Sequence, residues 1–377
     1  MDIEKRIELI KRNTAEILTD EDLRNFLESG EKLNHYIGFE VSGKIHIGTG
    51  IMCMSKVKDF QDAGINCSIF LADWHSWIND KLGGDLDIIK KVAVGYFKEG
   101  LKASLKCVGG DPDKIKFVLG SELYHNNDKF WQTLIDVSKN TSLNRILRSI
   151  TIAGRKEGEA VDFAKLIYPP MQVADIFVQG INVAHAGIDQ RKAHVIARDV
   201  AMKLKTSPLK NKKGTTIKPI AIHHNLILGL TKPPMWPIPD DKMQELWSEL
   251  KMSKSKPESA VFITDSPEEI EKKINNAFCP EGEIKFNPIL DWAKNLLFRN
   301  DNFKLKVERP EKFGGNTTFK SYEELENIFS QKKLHPMDLK KAISREIIKL
   351  LEPARKHFEQ PKIKKMKEEM DRLIATR

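Results

Sequence analysis

At 377 residues the chain has room for about two or three domains, and 40% apolar with 31% charged residues is the balance of an ordinary globular protein. No apolar run approaches the ~18 residues that a membrane-spanning helix needs. The net charge of +9 favours polyanionic partners, and the four scattered cysteines (Cys53, Cys67, Cys107, Cys279) exclude a cysteine zinc site or a disulfide framework. The opening "MDIEKRIELI" has neither the apolar core of a secretory signal nor the acid-poor bias of a transit peptide, so a reducing cytoplasm is the expected location.

In chain order, a helical opening leads to a strand, "KLNHYIGFEV". A helix, "IGTGIMCMSKVKDFQDAG", follows and is closed by Gly64. "INCSIFLADW" reads as a second strand, "DLDIIKKVAVGYFKEGLKASL" as one long amphipathic helix, and "DKIKFVLGSEL" as a third strand. Such alternation is the pattern of a parallel sheet with helices on both faces. Residues 125–165 are polar and helical, inserted between two halves of that sheet. In "IYPPMQVADIFVQG", Pro169 suits the first turn of a helix. The alternation resumes with "INVAHAGIDQ", "RKAHVIARDVAMKL" and "KPIAIHHNLIL". After the loop "TKPPMWPIPD" come a short helix and "KMSKSKP"; from residue 262 the pattern turns to helices, the first N-capped by Asp265 or Ser266. The chain ends in a basic helical tail.

Two motifs carry chemistry. In "YIGFEVSGKIHIGTG" a strand meets a helix start, where unpaired N–H groups and the positive dipole end seat phosphate. Gly48 allows close approach of a nucleotide, and His46 can donate to a phosphate oxygen without a permanent charge. The lysine and hydroxyl residue of a P-loop are missing, so attack at an α-phosphorus with pyrophosphate leaving fits better than γ-phosphoryl transfer. Far downstream, "KMSKS" (251–255) offers Lys251 and Lys254 on a loop able to close over a triphosphate and neutralise the leaving pyrophosphate.

On the helix of the Tyr-Pro-Pro motif, Tyr168, Gln172 and Asp175 fall at i, i+4 and i+7, one hydrogen-bonding stripe among apolar neighbours. Such a stripe reads as a pocket wall. Tyr36, at the end of the first strand, faces it, and together with Asp175 it can bond a phenol that both donates and accepts.

The histidine and lysine motifs resemble those of class I aminoacyl-tRNA synthetases. The whole chain, through "YPPMQVADIF", "GIDQRKAH", "KMSKS", "RPEKFGG" and "LHPMDLK", resembles tyrosyl-tRNA synthetases of the archaeal and eukaryotic type. The resemblance implies an α/β fold with a Rossmann-like catalytic domain over 1–261, a helical insertion, and a mainly helical anticodon-binding domain over 262–377. It implies that His46, Gly48, Lys251 and Lys254 handle ATP, with Mg²⁺ accompanying it and no structural metal. Tyr36 and Asp175 would read the phenol, Tyr168, Gln172 and Gln190 would meet the amino end, and Glu40 would stand near the same site. Arg148, Arg191 and Lys192 match positions that read a cytosine–guanine first pair of the tRNA acceptor stem. Phe313, His335 and Asp338 match those that stack on and bond the first anticodon base, which must be a guanine to pair with either pyrimidine ending a tyrosine codon. A homodimer, paired through an apolar helix face of the insertion, is expected on the same ground. The alternatives are a tryptophanyl enzyme, for which the Tyr36 hydroxyl has no use, and a small-molecule nucleotidyltransferase, which needs no basic helical C-terminal unit.

Overall fold

The computed structural model describes residues 1–155, 158–239, 250–254, 256–300 and 302–375; the short helix expected before "KMSKS" (240–249) and Ser255 within it lie outside them. Six strands, β1 (Thr14–Leu18), β2 (Asn34–Phe39), β3 (Asn66–Leu71), β4 (Lys116–Leu119), β5 (Val183–Gly187) and β6 (Ile220–His224), form one sheet in the order β1-β6-β5-β2-β3-β4. β2 to β6 run parallel. All but one residue of β3 is buried, as expected of a strand covered on both faces. From β2 the chain steps outward through β3 to β4, then returns to lay β5 and β6 on the other side of β2. The winding therefore reverses between β2 and β5, where open α/β sheets form their ligand crevice.

The helical opening is corrected by β1, which lies between helices Ile3–Lys11 and Asp20–Glu28 and pairs antiparallel with β6. Asn13 at φ 50° breaks the first helix, and the Thr19 hydroxyl caps the second by accepting from the Asp22 N–H. Five residues with a glutamate among them carry too little alternation to reveal a strand. The long helix expected over "DLDIIKKVAVGYFKEGLKASL" is interrupted at Gly95 (φ −95°, ψ −109°), between Leu86–Val92 and Lys98–Cys107. Pro169 is also corrected. Its helix runs Phe163–Val178 and starts a turn and a half earlier, because Asp162 caps it by accepting from the Lys165 N–H.

Helices Asp128–Lys139 and Leu143–Ser149 make up the insertion. Beyond residue 262 helices prevail, with a two-stranded ribbon, β7 (Leu305–Val307) and β8 (Thr317–Phe319), that carried no clear signal in the sequence. Ser266 is the N-cap of Pro267–Asn275, in a reciprocal box with Glu269, while Asp265 instead pairs with Lys273 at 2.6 Å.

Helix Cys53–Asp62, which follows β2, holds the N- and C-terminal parts of the chain through buried charge. The Lys56 ammonium, 2% exposed, donates to the carbonyls of Leu9 (3.2 Å), Ile10 (2.5 Å) and Arg12 (2.6 Å) at the end of the first helix. Asp59 accepts from Arg299 at 2.7 Å, and Arg299 also donates to the Ser55 carbonyl at 3.0 Å. Replacing Lys56→Met keeps the volume but leaves three carbonyls without this donor and removes the ammonium 3.9 Å from Asp59. Loss of about 2–4 kcal/mol of stability is expected, read as a lower denaturant midpoint at constant slope.

Candidate active site

A cavity of about 790 Å³ opens at the crevice, lined from both sides of the winding reversal by Tyr36 and Glu40 of the β2 arm and by Asp189 and Gln190 after β5. Asp175 and the turn holding His46 and Gly48 line this same cavity. Tyr36 sits in the middle of β2, not at its end, opposite Ser68 and Ala184.

Asp175 is 1% exposed and accepts from the Tyr124 hydroxyl at 3.0 Å, with His75 Nε2 3.7 Å from its other oxygen. Burial raises its carboxyl well above the ordinary range, against the pull of the Tyr124 hydrogen bond. Burial first, and then Asp175, push the Tyr36 phenol upward too, so it remains a donor. The Tyr168 ring packs edge-on against His75, centroids 4.6 Å apart. Gln172 Nε2 lies 3.5 Å from Gln190 Oε1, and Gln190 Nε2 donates to the Ile152 carbonyl at 3.0 Å. Gln172 Oε1 is buried with no partner among the described residues, an acceptor awaiting a donor. Glu40 accepts from Asn79 at 2.8 Å and lies 3.4 Å from the Lys81 ammonium.

At the turn, Ile47 N–H donates to Val261 O at 2.9 Å, so the segment before the C-terminal helices backs the motif. The Thr49 N–H donates to His46 Nδ1 at 3.2 Å, which leaves the proton on Nε2, 3.2 Å from the Thr49 hydroxyl. Thr49 therefore fixes the tautomer of the ring. Burial, then Lys254 and Lys251, lower the imidazole to about 3, so it works as a neutral donor. A β-carbon on Gly48 would lie 3.0 Å from two atoms of this ring, which explains the glycine. Lys251 pairs with Asp189 at 2.8 Å; Lys254 donates to the Ser42 hydroxyl at 2.8 Å and lies over the Phe97 ring.

Tyr124, His75, Asn79 and Ser42 escaped sequence reasoning, since lone polar residues in apolar runs look like satisfied core positions. Asp189 had a visible signal, its place beside Gln190 in "GIDQRKAH". The tail was unassigned. Its helix, Pro361–Ala375, folds back so that Asp371 pairs with Lys44 at 2.6 Å and Leu373 and Ile374 reach the cavity rim.

A family profile described as class I tRNA synthetases (W and Y) matches residues 28–352. A tyrosine–tRNA ligase of Thermococcus kodakarensis is 60% identical over 361 residues, 95% of this chain and 96% of the relative. One of Pyrobaculum calidifontis is 48% identical over the full length of both. The chain belongs to the tyrosine–tRNA ligases. Among solved structures, the tyrosyl-tRNA synthetase of Pyrococcus horikoshii, complexed with L-tyrosine, superposes with a TM-score of 0.94 at 55% identity, covering 98% of this chain and 100% of the other. The tryptophanyl alternative is thereby set aside.

In this ligase the positions expected to meet RNA fall in two groups. Arg148, on the insertion, and Lys192 come together, the Lys192 ammonium donating to the Arg148 carbonyl at 2.6 Å; Arg191 is next in chain and pairs with Glu16. Farther along, the Phe313 ring is 59% exposed, on a turn made by Gly314 (φ 97°) and Gly315 (φ 67°). Arg309 ties this turn to the linker before the helix Pro336–Leu350 by donating to the carbonyls of Gly315 and Lys333, each at 2.8 Å. His335 caps that helix, and Asp338 lies in its first turn.

Burial lowers the Lys254 ammonium to about 8, Glu40 opposing and Lys81 adding to the shift. Its charge is present below that pH and lost as pH rises through it. In tyrosine-dependent pyrophosphate exchange, kcat/KM for ATP should fall from pH 7.5 to 9, and Lys254→Arg, which stays charged, should flatten the fall.

Proposed function

We propose that this tyrosine–tRNA ligase condenses tyrosine with ATP in the 790 Å³ cavity and then passes the tyrosyl group to the 3′ end of its tRNA. The observation that carries the proposal is the buried Asp175 facing the same cavity as the His46 turn. Asp175 accepts the substrate phenol's proton, and the Tyr36 hydroxyl donates back to the phenol oxygen. Gln172, with its unpartnered carbonyl oxygen, Gln190 and Tyr168 meet the ammonium end, and Glu40 adds negative charge nearby. The substrate carboxylate attacks the α-phosphorus, so no side chain is needed as a covalent nucleophile. His46 donates to a phosphate oxygen, Gly48 leaves room for the nucleotide, and Lys251 and Lys254 neutralise the leaving pyrophosphate. Mg²⁺ travels with the ATP.

For the tRNA, Arg148, Arg191 and Lys192 take the first pair of the acceptor stem. The unit from residue 262, through Phe313, His335 and Asp338, takes the first anticodon base. Two chains pair through the insertion, whose Trp131, Ile135, Leu143 and Leu147 are exposed apolar residues at i, i+4 spacings. The setting is the cytoplasm, where tRNA is charged.

The test is exchange of labelled pyrophosphate into ATP against each amino acid: tyrosine should support it, and support by tryptophan instead of tyrosine would refute the proposal. Tyr36→Phe should lower kcat/KM for tyrosine about tenfold, the worth of one neutral hydrogen bond. Asp175→Ala should lower it ~10²-fold or more, because the substrate phenol loses its partner and the Tyr124 hydroxyl is stranded in a buried site.

A further inference from the structure

Arg191 opens its helix with its guanidinium already engaged. Glu16 on β1 accepts from Nε, at 2.7 and 3.0 Å to its two oxygens, and from Nη2 at 2.9 Å. An exposed pair of two long side chains ordinarily contributes little. This pair is different, because the carboxylate is fixed from behind. His223 on β6 lies 3.1 Å from Glu16 Oε2, and His194 stacks on His223 with ring nitrogens 3.0 Å apart. An ionised carboxylate only accepts, so His223 donates through Nδ1; its Nε2 then accepts, and His194 donates. The ladder has one direction. Side-chain exposure falls along it, from 47% at Arg191 to 26% at Glu16 and 0% at His223.

The backbone is bent to the same end. Thr14 faces His224 while Glu16 faces His223, so β1 uses two residues where β6 uses one. A bulge of this kind re-aims a side chain, and here it sets Glu16 directly across from His223.

We propose that Glu16 positions Arg191 to read a base of the tRNA acceptor stem. Glu16 takes the Nε–H and one N–H of Nη2. A planar guanidinium then keeps the parallel N–H pair of its Nη1/Nη2 end, which matches O6 and N7 of guanine. The paired carboxylate also cancels the charge that would draw Arg191 to a phosphate, leaving a fixed, neutralised fork that favours a base edge over the backbone. This rests on the assignment of Arg191 to the first base pair.

The experiment measures aminoacylation kcat/KM for transcripts of the cognate tRNA with a C1·G72 or a G1·C72 pair, using Glu16→Ala, Glu16→Gln and Arg191→Ala in the full chain. Pyrophosphate exchange, which needs no tRNA, serves as the folding control for each variant. The expected result is that Glu16→Ala shrinks the preference for C1·G72 about tenfold and that Glu16→Gln, which keeps one acceptor, restores part of it. If Glu16→Ala weakens both transcripts equally while Arg191→Ala collapses the preference, Arg191 reads the base without Glu16 and the proposal is overturned. If Arg191→Ala itself leaves the preference intact, the assignment of Arg191 has failed and the proposal falls with it.

Discussion

The reversal of winding between β2 and β5 is the constraint on which the site depends. Two adjacent parallel strands send their following segments to opposite faces of the sheet, so nothing closes over the gap at their carboxyl ends. The gap receives a helix start on one side, with His46 and Gly48, and the Asp189–Gln190 turn on the other. Lys251 and Asp189 pair across it, so the downstream lysine segment is drawn to the crevice by charge as well as by backbone.

Several polar groups buried around this gap lack a hydrogen-bond partner among the described residues, which opposes folding. Asp175 is buried with the Tyr124 hydroxyl as its donor, and among the described residues neither ring nitrogen of His75 has a hydrogen-bond partner. Each such group costs about 1–3 kcal/mol. In the proposed function, a ligand with a hydroxyl at one end and an ammonium at the other would meet Asp175 and the Gln172 carbonyl oxygen. Around the His46 turn the polar groups are held in place: Thr49 sets the tautomer of His46, and Ser42 and Phe97 hold Lys254. In the proposed reaction such fixed donors would reorganise little as charge develops, the condition for stabilising a transition state.

Residues from Val261 onward line and brace the cavity, Phe262, Leu373 and Ile374 lining it. Val261 backs the His46 turn, Arg299 holds Asp59 behind the following helix, and Asp371 pairs with Lys44 at the mouth. Met366 packs at the Gly95 kink, one residue before Tyr96, whose hydroxyl accepts from the Ile45 N–H at 3.3 Å. The last helix thus touches the segment that supports the His46 turn from two directions.

The alternation of strands and helices, the glycine-spaced histidine turn, the lysine loop and the polar stripe Tyr168–Gln172–Asp175 were legible in the chain itself. Their signals are local: hydrophobic period, turn residues, and groups one helical turn apart. Resemblance added the positions meant for RNA, which no spacing gives. β1 was invisible because a five-residue edge strand has no periodicity of its own and exists by pairing with β6, some two hundred residues away in sequence. Separation along the chain likewise hid Glu16 behind Arg191, 175 residues away, and Tyr124 behind Asp175, 51 residues away. A lone carboxylate or phenol acquires meaning from what faces it, and what faces it is set by the order of strands in the sheet and the path of the last helix. The sequence by itself determined which chemical groups were to hand and on which local elements they stood. The tertiary structure decided which of them meet, because hydrogen bonds and ion pairs act over a few ångströms of space and are blind to separation along the chain.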